Sequence, residues 1–279
     1  MTIKNILVHV DHGKAMPARV AYALGLARQC DAHLTGLHCV TPIYLPGYVR
    51  AEMPEPVLRA QAEREAAEQV ADKAAFDRAV AASGYAAKAE WRAVQGDPID
   101  ALVLHGRYAD LVVVGQSDAE DARDDIVDLP GAVALELGRP VLAVPHAGKF
   151  DRIGEHVLVA WNASREATRA VNDAMPLLAK AKKVTVLAVN PRGGMHGHGA
   201  QPGADIALHL ARHGVKAEAA QLSSDDLDPG DVLLSRASDL GADLVVMGAY
   251  GRSRLREMVL GGVTRHMMKH MTVPVLLSH

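Results

Sequence analysis

The chain has 279 residues, 49% hydrophobic and 23% charged, with a formal net charge of -3. That balance excludes a disordered or collagen-like chain, and at roughly 100–200 residues per domain it fits two domains. With 30 Lys and Arg against 33 Asp and Glu, and 4% aromatics, there is neither a cationic excess for a phosphate backbone nor a row of stacking platforms, so nucleic acid is excluded as a partner.

The N-terminal apolar run 6–10 ends at Asp11, too short for the core of a signal peptide, and no run of about 18 apolar residues occurs anywhere. Cys30 and Cys39 are too few for a disulfide framework and match no metal-ligand spacing, so both are expected to pack as small apolar residues. The expectation is a soluble, reduced, cytoplasmic protein with no membrane partner.

In chain order, short apolar runs predict strands at 5–10, 33–40, 89–94, 111–114 and 140–144. Between the first two, Val20, Ala23, Leu24 and Ala27 predict a helix over 17–30. Leu58, Ala62, Ala66, Val70 and Ala74 recur every four residues and predict a helix over 55–83 with that stripe inward. Asp97-Pro98 reads as an N-cap followed by proline at the first helical position. After the linker 145–151 the scheme recurs. Strands are predicted at 156–160, 183–189, 216–221, 244–247 and 273–276, and helices at 164–180, 203–213, 230–240 and 257–270, with Asp228-Pro229 mirroring Asp97-Pro98.

The recurrence extends to residues. Asn5-Ile-Leu-Val-His-Val-Asp11 resembles His156-Val-Leu-Val-Ala-Trp-Asn162, Ala109-Asp-Leu-Val-Val-Val-Gly115 nearly repeats as Ala242-Asp-Leu-Val-Val-Met-Gly248, and Arg139-Pro-Val-Leu-Ala-Val144 echoes Val273-Pro-Val-Leu-Leu277. The offsets are 151, 133 and 134, which places extra residues in the first half, in 42–83. The reading is a duplicated α/β unit, with domains 1–146 and 152–279. Each is a five-stranded parallel sheet with helices on both faces.

Ligands of open α/β sheets bind at the carboxyl ends of the strands. There the second half carries Gly248-x2-Gly251-x9-Gly261 between an apolar strand and a helix, followed by a final Val-Pro-Val-Leu strand. On these motifs, over essentially the whole chain, the sequence resembles a tandem member of the universal stress protein family. The resemblance implies two Rossmann-like domains packed about a pseudo-two-fold axis through their last strands. It also implies an adenine nucleotide, ATP or AMP; no metal is assigned, and Mg2+ is possible with ATP. Carried over residue by residue, the implied nucleotide site is Asn162, Val189, Met247, Gly248, Gly251, Gly261, Gly262 and Val263. Two positions depart from the family pattern. Gly262 stands where the family has Ser or Thr, with Thr264 as a substitute hydroxyl, and Asn162 stands where it has Asp. The first half keeps Asp11 and Val40 but has Asp118 in place of the second glycine, and an acidic stretch after it. It is read as a degenerate partner supplying an interface.

Other features have a bland and a sharp reading. The i,i+4 pairs His209/His213 and His266/His270 are solvated or capping histidines, or zinc ligands lacking a third partner. The glycine-rich loop 191–203 with His196 and His198 is a plain connection or a lid. Arg252, Arg254, Arg256 and Arg265 are a solvated surface or a screen for phosphate charge. The function expected is a regulatory stress-response protein. A nucleotide-free interaction scaffold is the first alternative. A slow nucleotide hydrolase ranks last, because no general base stands beside the phosphate loop. A protein partner and a homodimer stay open.

Overall fold

The computed structural model describes residues 2–40, 54–117, 128–191, 201–224, 226–251 and 262–279. The first half runs β1 (Asn5–Val10), α1 (Met16–Cys30), β2 (His33–Val40), α2 (Glu55–Ser83), β3 (Ala89–Gln95), α3 (Pro98–Gly106), β4 (Leu111–Gly115), α4 (Leu129–Leu137) and β5 (Val141–Val144). The second half repeats it as β6 (His156–Ala160), α5 (Arg165–Leu178), β7 (Lys183–Val189), α6 (Ala204–Arg212), β8 (Ala217–Leu222), α7 (Pro229–Asp239), β9 (Leu244–Gly248), α8 (Gly262–His270) and β10 (Val275–Ser278). Asp97 and Asp228 cap α3 and α7 as the sequence implies, their carboxylates accepting from Ile99 N and Gly230 N at 2.8 and 2.7 Å. The helix expected over 257–270 is seen from Gly262, its first residues lying outside those described.

The halves differ from two separate sheets. All ten strands form one sheet in the order β3-β2-β1-β4-β5-β10-β9-β6-β7-β8. Every neighbouring pair is parallel except β5 and β10, which meet antiparallel with Leu142 opposite Leu276. This is the expected juxtaposition of the two last strands, and it closes what would otherwise be two apolar sheet edges. The strands alternate between two buried clusters, one on each face, and both clusters draw residues from both halves.

The extra segment of the first half corrects one expectation. It does form a long helix, but Leu58, Ala62, Ala66, Val70 and Ala74 are not its inward stripe; Val70 is 69% exposed. The packed face is Gln61, Glu65, Glu68, Asp72, Phe76 and Val80, of which only the last three are buried. Phe76 docks α2 by lying over Gly36 of β2, where a Cβ would come within 2.7 Å of the ring. The face turns polar toward the N-terminal end because there it borders a cavity rather than the core.

Candidate functional site

The carboxyl edge of the second half carries unusual backbone. Four described non-glycine residues have positive φ. Three of them, Ala163, Asn190 and Tyr250, follow β6, β7 and β9 at +57°, +48° and +51°. Left-handed conformations at such residues cost about 1–3 kcal/mol each and concentrate at functional sites. Asn190 is held there by Ser224, whose N–H and carbonyl it bonds at 2.7 and 2.9 Å. Asn162 is exposed, and its Oδ1 accepts from Ser164 N at 3.1 Å, a turn that leads into α5.

The glycines divide by what surrounds them. A Cβ on Gly248 would lie 2.5 Å from Ala167 N, so this glycine serves the close approach of α5 to β9. Among the described residues, a Cβ on Gly251 would meet only Glu166 Oε2, at 3.9 Å, and one on Gly262 nothing within 4 Å. These two leave the backbone open, and Gly262 begins α8, whose first N–H groups lack helical partners and attract anions. Gly261, with Arg252, Arg254 and Arg256, lies outside the described residues, as do residues 192–200 of the glycine-rich loop.

Other expected site residues have structural roles. Met247 is buried in the core, and Val189 and Val263 pack against the same cluster. Thr264 is buried, and its hydroxyl accepts from Tyr250 N at 3.3 Å. It therefore ties the loop after β9 to α8. Glu166, in the first turn of α5, was not foreseen. It is 5% exposed, and its Oε2 has no hydrogen-bond partner among the described residues. A carboxylate beside Gly251 opposes a phosphate there.

The first half, read as degenerate, holds a cavity of about 540 Å³ at the carboxyl ends of β1, β2 and β4, with α2 along one side. Arg19, buried in α1, crosses the edge of Gly115, donates from Nε to His9 O at 2.8 Å and pairs with Asp11 at 2.7 Å. Burial opposes ionisation of Asp11, but the Arg19 guanidinium and smaller contributions from His9 and Gly13 N hold its carboxyl well below the usual carboxylate range. Burial drives His9 down to about 4 against the pull of Asp11, so its imidazole is neutral at pH 7. Asp72 of α2 lies 2.9 Å from His12 Nδ1 and 3.5 Å from His38 Nδ1. Burial pushes the Cys39 thiol, on the same cavity wall, up to about 12, with Asp97 and Asp11 adding to it, which leaves it inert as expected. Apart from Asp11, no sequence signal marked this cluster, since Asp72 and Arg19 stand in helices outside any motif.

The rings of both histidine pairs are in tilted contact, with centroids 4.7 Å apart at His209/His213 and 4.6 Å apart at His266/His270. Among the described residues no helix is long and apolar enough to cross a membrane.

The model of the universal stress protein family matches the chain at residues 2–129 and again at 154–279. Universal stress protein MJ0577 of Methanocaldococcus jannaschii is 37% identical over 49 residues, 18% of this chain and 30% of that protein, so the chain spans about a third of the length of this curated relative. Among solved structures, a universal stress protein of Archaeoglobus fulgidus superposes over 99% of this chain and 96% of its own, at a TM-score of 0.75 and 18% identity. A protein of Pseudomonas aeruginosa described as functionally unknown does so over 99% and 92%, at 0.55 and 16%.

Proposed function

Because the chain belongs to the universal stress protein family, we propose that it binds an adenine nucleotide, ATP or AMP, at the carboxyl edge of its second half and acts as a nucleotide-responsive regulator. The observation that carries this reading is that no described backbone crowds Gly251 or Gly262, beside the N-terminus of α8. The left-handed residues after β6, β7 and β9 support it, as does the Gly248/Gly251/Gly261 spacing. Glu166 and the absence of a hydroxyl at position 262 both weaken the hold on phosphate, which suits a reversible sensor better than a permanent cofactor site.

Titration calorimetry of the full chain with ATP and AMP tests the reading. Gly251→Val meets no backbone of the described residues within 4 Å of its Cβ, so it should fold normally and lose nucleotide binding. Gly262→Ser has free space and restores a donor, so it should tighten binding by about 1 kcal/mol, near fivefold. Undiminished binding in Gly251→Val would place the nucleotide elsewhere.

A second reading concerns the first-half cavity. Its buried His9 Nδ1 and Asp72 Oδ2 have no hydrogen-bond partner among the described residues. Asp11, Asp72, Glu65, Glu68 and Asp97 outnumber Arg19, Arg64 and Lys14 along its walls. That chemistry favours a small polar ligand without phosphate. Binding of adenosine, which carries no phosphate, retained in Gly251→Val but lost in Asp72→Leu would favour this cavity for such a ligand.

A further inference from the structure

The sequence leaves the His266/His270 pair without a third metal ligand, and the fold supplies two. Asp228, the N-cap of α7, and Asp231, in its first turn, meet His266 of α8. His266 Nε2 is 2.8 Å from Asp231 Oδ1, and its Nδ1 is 3.9 Å from Asp228 Oδ1. One donor atom from each of the three residues lies within 4.8 Å of the other two. We propose that Asp228, Asp231 and His266 form a binding site for a divalent transition-metal ion, with Zn2+ the natural occupant, at the junction of α7 and α8.

Tetrahedral zinc holds nitrogen and oxygen ligands at about 2.0–2.2 Å, so its ligand atoms stand about 3.5 Å apart. Closing the site around an ion takes about 1 Å of movement; both aspartates are exposed, and Asp231 can make most of it while Asp228 keeps its cap to Gly230 N. A second observation points the same way. Gly230 is buried under the imidazole, and a Cβ there would lie 2.7 Å from His266 Cδ2 and 2.9 Å from Asp228 Oδ1. The missing side chain is what lets the ring sit between the two carboxylates. His270, one turn further on the same face, is exposed and can reach the ion as a fourth ligand by side-chain rotation.

Imidazole with carboxylates selects zinc-like ions over Mg2+ and Ca2+, which prefer oxygen alone. The ion takes the lone pair of the neutral imidazole and oxygens of the two carboxylates, with no change of oxidation state. The first half provides an internal comparison. Asp97-Pro98-Ile99-Asp100 matches Asp228-Pro229-Gly230-Asp231, but isoleucine replaces the glycine and, counted from Pro140 and Pro274, Ala132 replaces His266. The arrangement is particular to the second half.

The full chain, stripped of metal by chelator and free of nucleotide, is titrated with Zn2+ and with Co2+ as a spectroscopic probe. The wild type should take up one equivalent more than His266→Ala, and Co2+ should give visible absorption that this variant lacks. Asp231→Asn, at an exposed position where folding is not at stake, should weaken that equivalent about tenfold or more. Gly230→Ala, which pushes the ring aside, should weaken it similarly. His209→Ala should leave it unchanged. If the wild type binds no zinc, or if His266→Ala and Asp231→Asn bind as many equivalents as tightly, the cluster is a capping ion pair for α7 and nothing more.

Discussion

Arg19 is the residue on which the first-half cavity turns, because its guanidinium holds Asp11 ionised while its Nε binds the carbonyl of His9. The cost of this arrangement falls on His9. Its ordinary value is 6.5, and burial brings it to about 4, with Arg19 and His38 acting in the same direction and Asp11 against. A group depressed in this way supports the fold above pH 6.5. Between pH 6.5 and 4 the unfolded chain takes up a proton that the folded chain refuses, so that support is lost, at most about 3 kcal/mol. Asp11, held below its usual range, keeps its own contribution until the pH falls past ordinary carboxylate values. His9→Asn should therefore flatten the fall in urea midpoint between pH 7 and 4.5, and an unaltered slope would show that His9 does not titrate as described. Of these residues only Asp11 was legible from the sequence, as the acid closing the first strand. Its partner lies eight positions on inside a helix, where an arginine reads as solvated. What buries it is the absence of a side chain at Gly115, a contact made across the sheet.

Among the elements, α2 departs furthest from its repeat. Periodicity was enough to identify the helix, as it was for the strands, whose bounds fall within about two residues of the expected ones. The inward face was not legible, because an i+4 apolar stripe marks a buried face only when the neighbour is a core. Here the N-terminal half of α2 borders the cavity, so Gln61, Glu65 and Glu68 face inward and Val70 faces solvent. The helix is anchored at its other end. Phe76 is 2% exposed, rests on Gly36 and tilts against Trp91 with ring centroids 5.6 Å apart. Phe76→Ala should cost about 3–5 kcal/mol, the usual range for a buried aromatic, and expose 55–75 to proteolysis before the rest of the chain. Uniform cleavage across the chain would mean that α2 is held by something other than this ring. In the candidate nucleotide site the division is similar. Glycine spacing was readable as a motif, but the carboxylate of Glu166 beside Gly251 was not, since it arrives from the helix after a different strand.

For the whole molecule, the antiparallel seam between β5 and β10 joins the two halves into one sheet. Leu142 and Leu276 face each other at its centre, each 1% exposed, in a cluster that also contains Val8 and Val159 from the two halves. Polar ties flank the seam. Gln116, just after β4, donates to the carbonyls of Met268 and Lys269 at the end of α8, at 2.9 and 3.0 Å, and accepts from His146 N at 3.1 Å. The hydroxyl of Tyr250 bonds Asp128, the N-cap of α4, so the loop after β9 is fastened to the first half. A tandem that joined its halves only through the linker would unfold in two steps. This one should unfold in one, since neither half completes its core without the other strand. The chain offers a direct reading of this, with its two tryptophans, Trp91 and Trp161, one in each half. In Trp91→Phe and Trp161→Phe the remaining tryptophan reports a single half, and the two denaturation midpoints should coincide. Leu276→Ala, which removes about 2–5 kcal/mol of packing from the seam, should lower both midpoints by the same amount. Separate midpoints, or a Leu276→Ala shift seen by Trp161 alone, would mean that the halves fold independently and that the seam is a contact between finished domains.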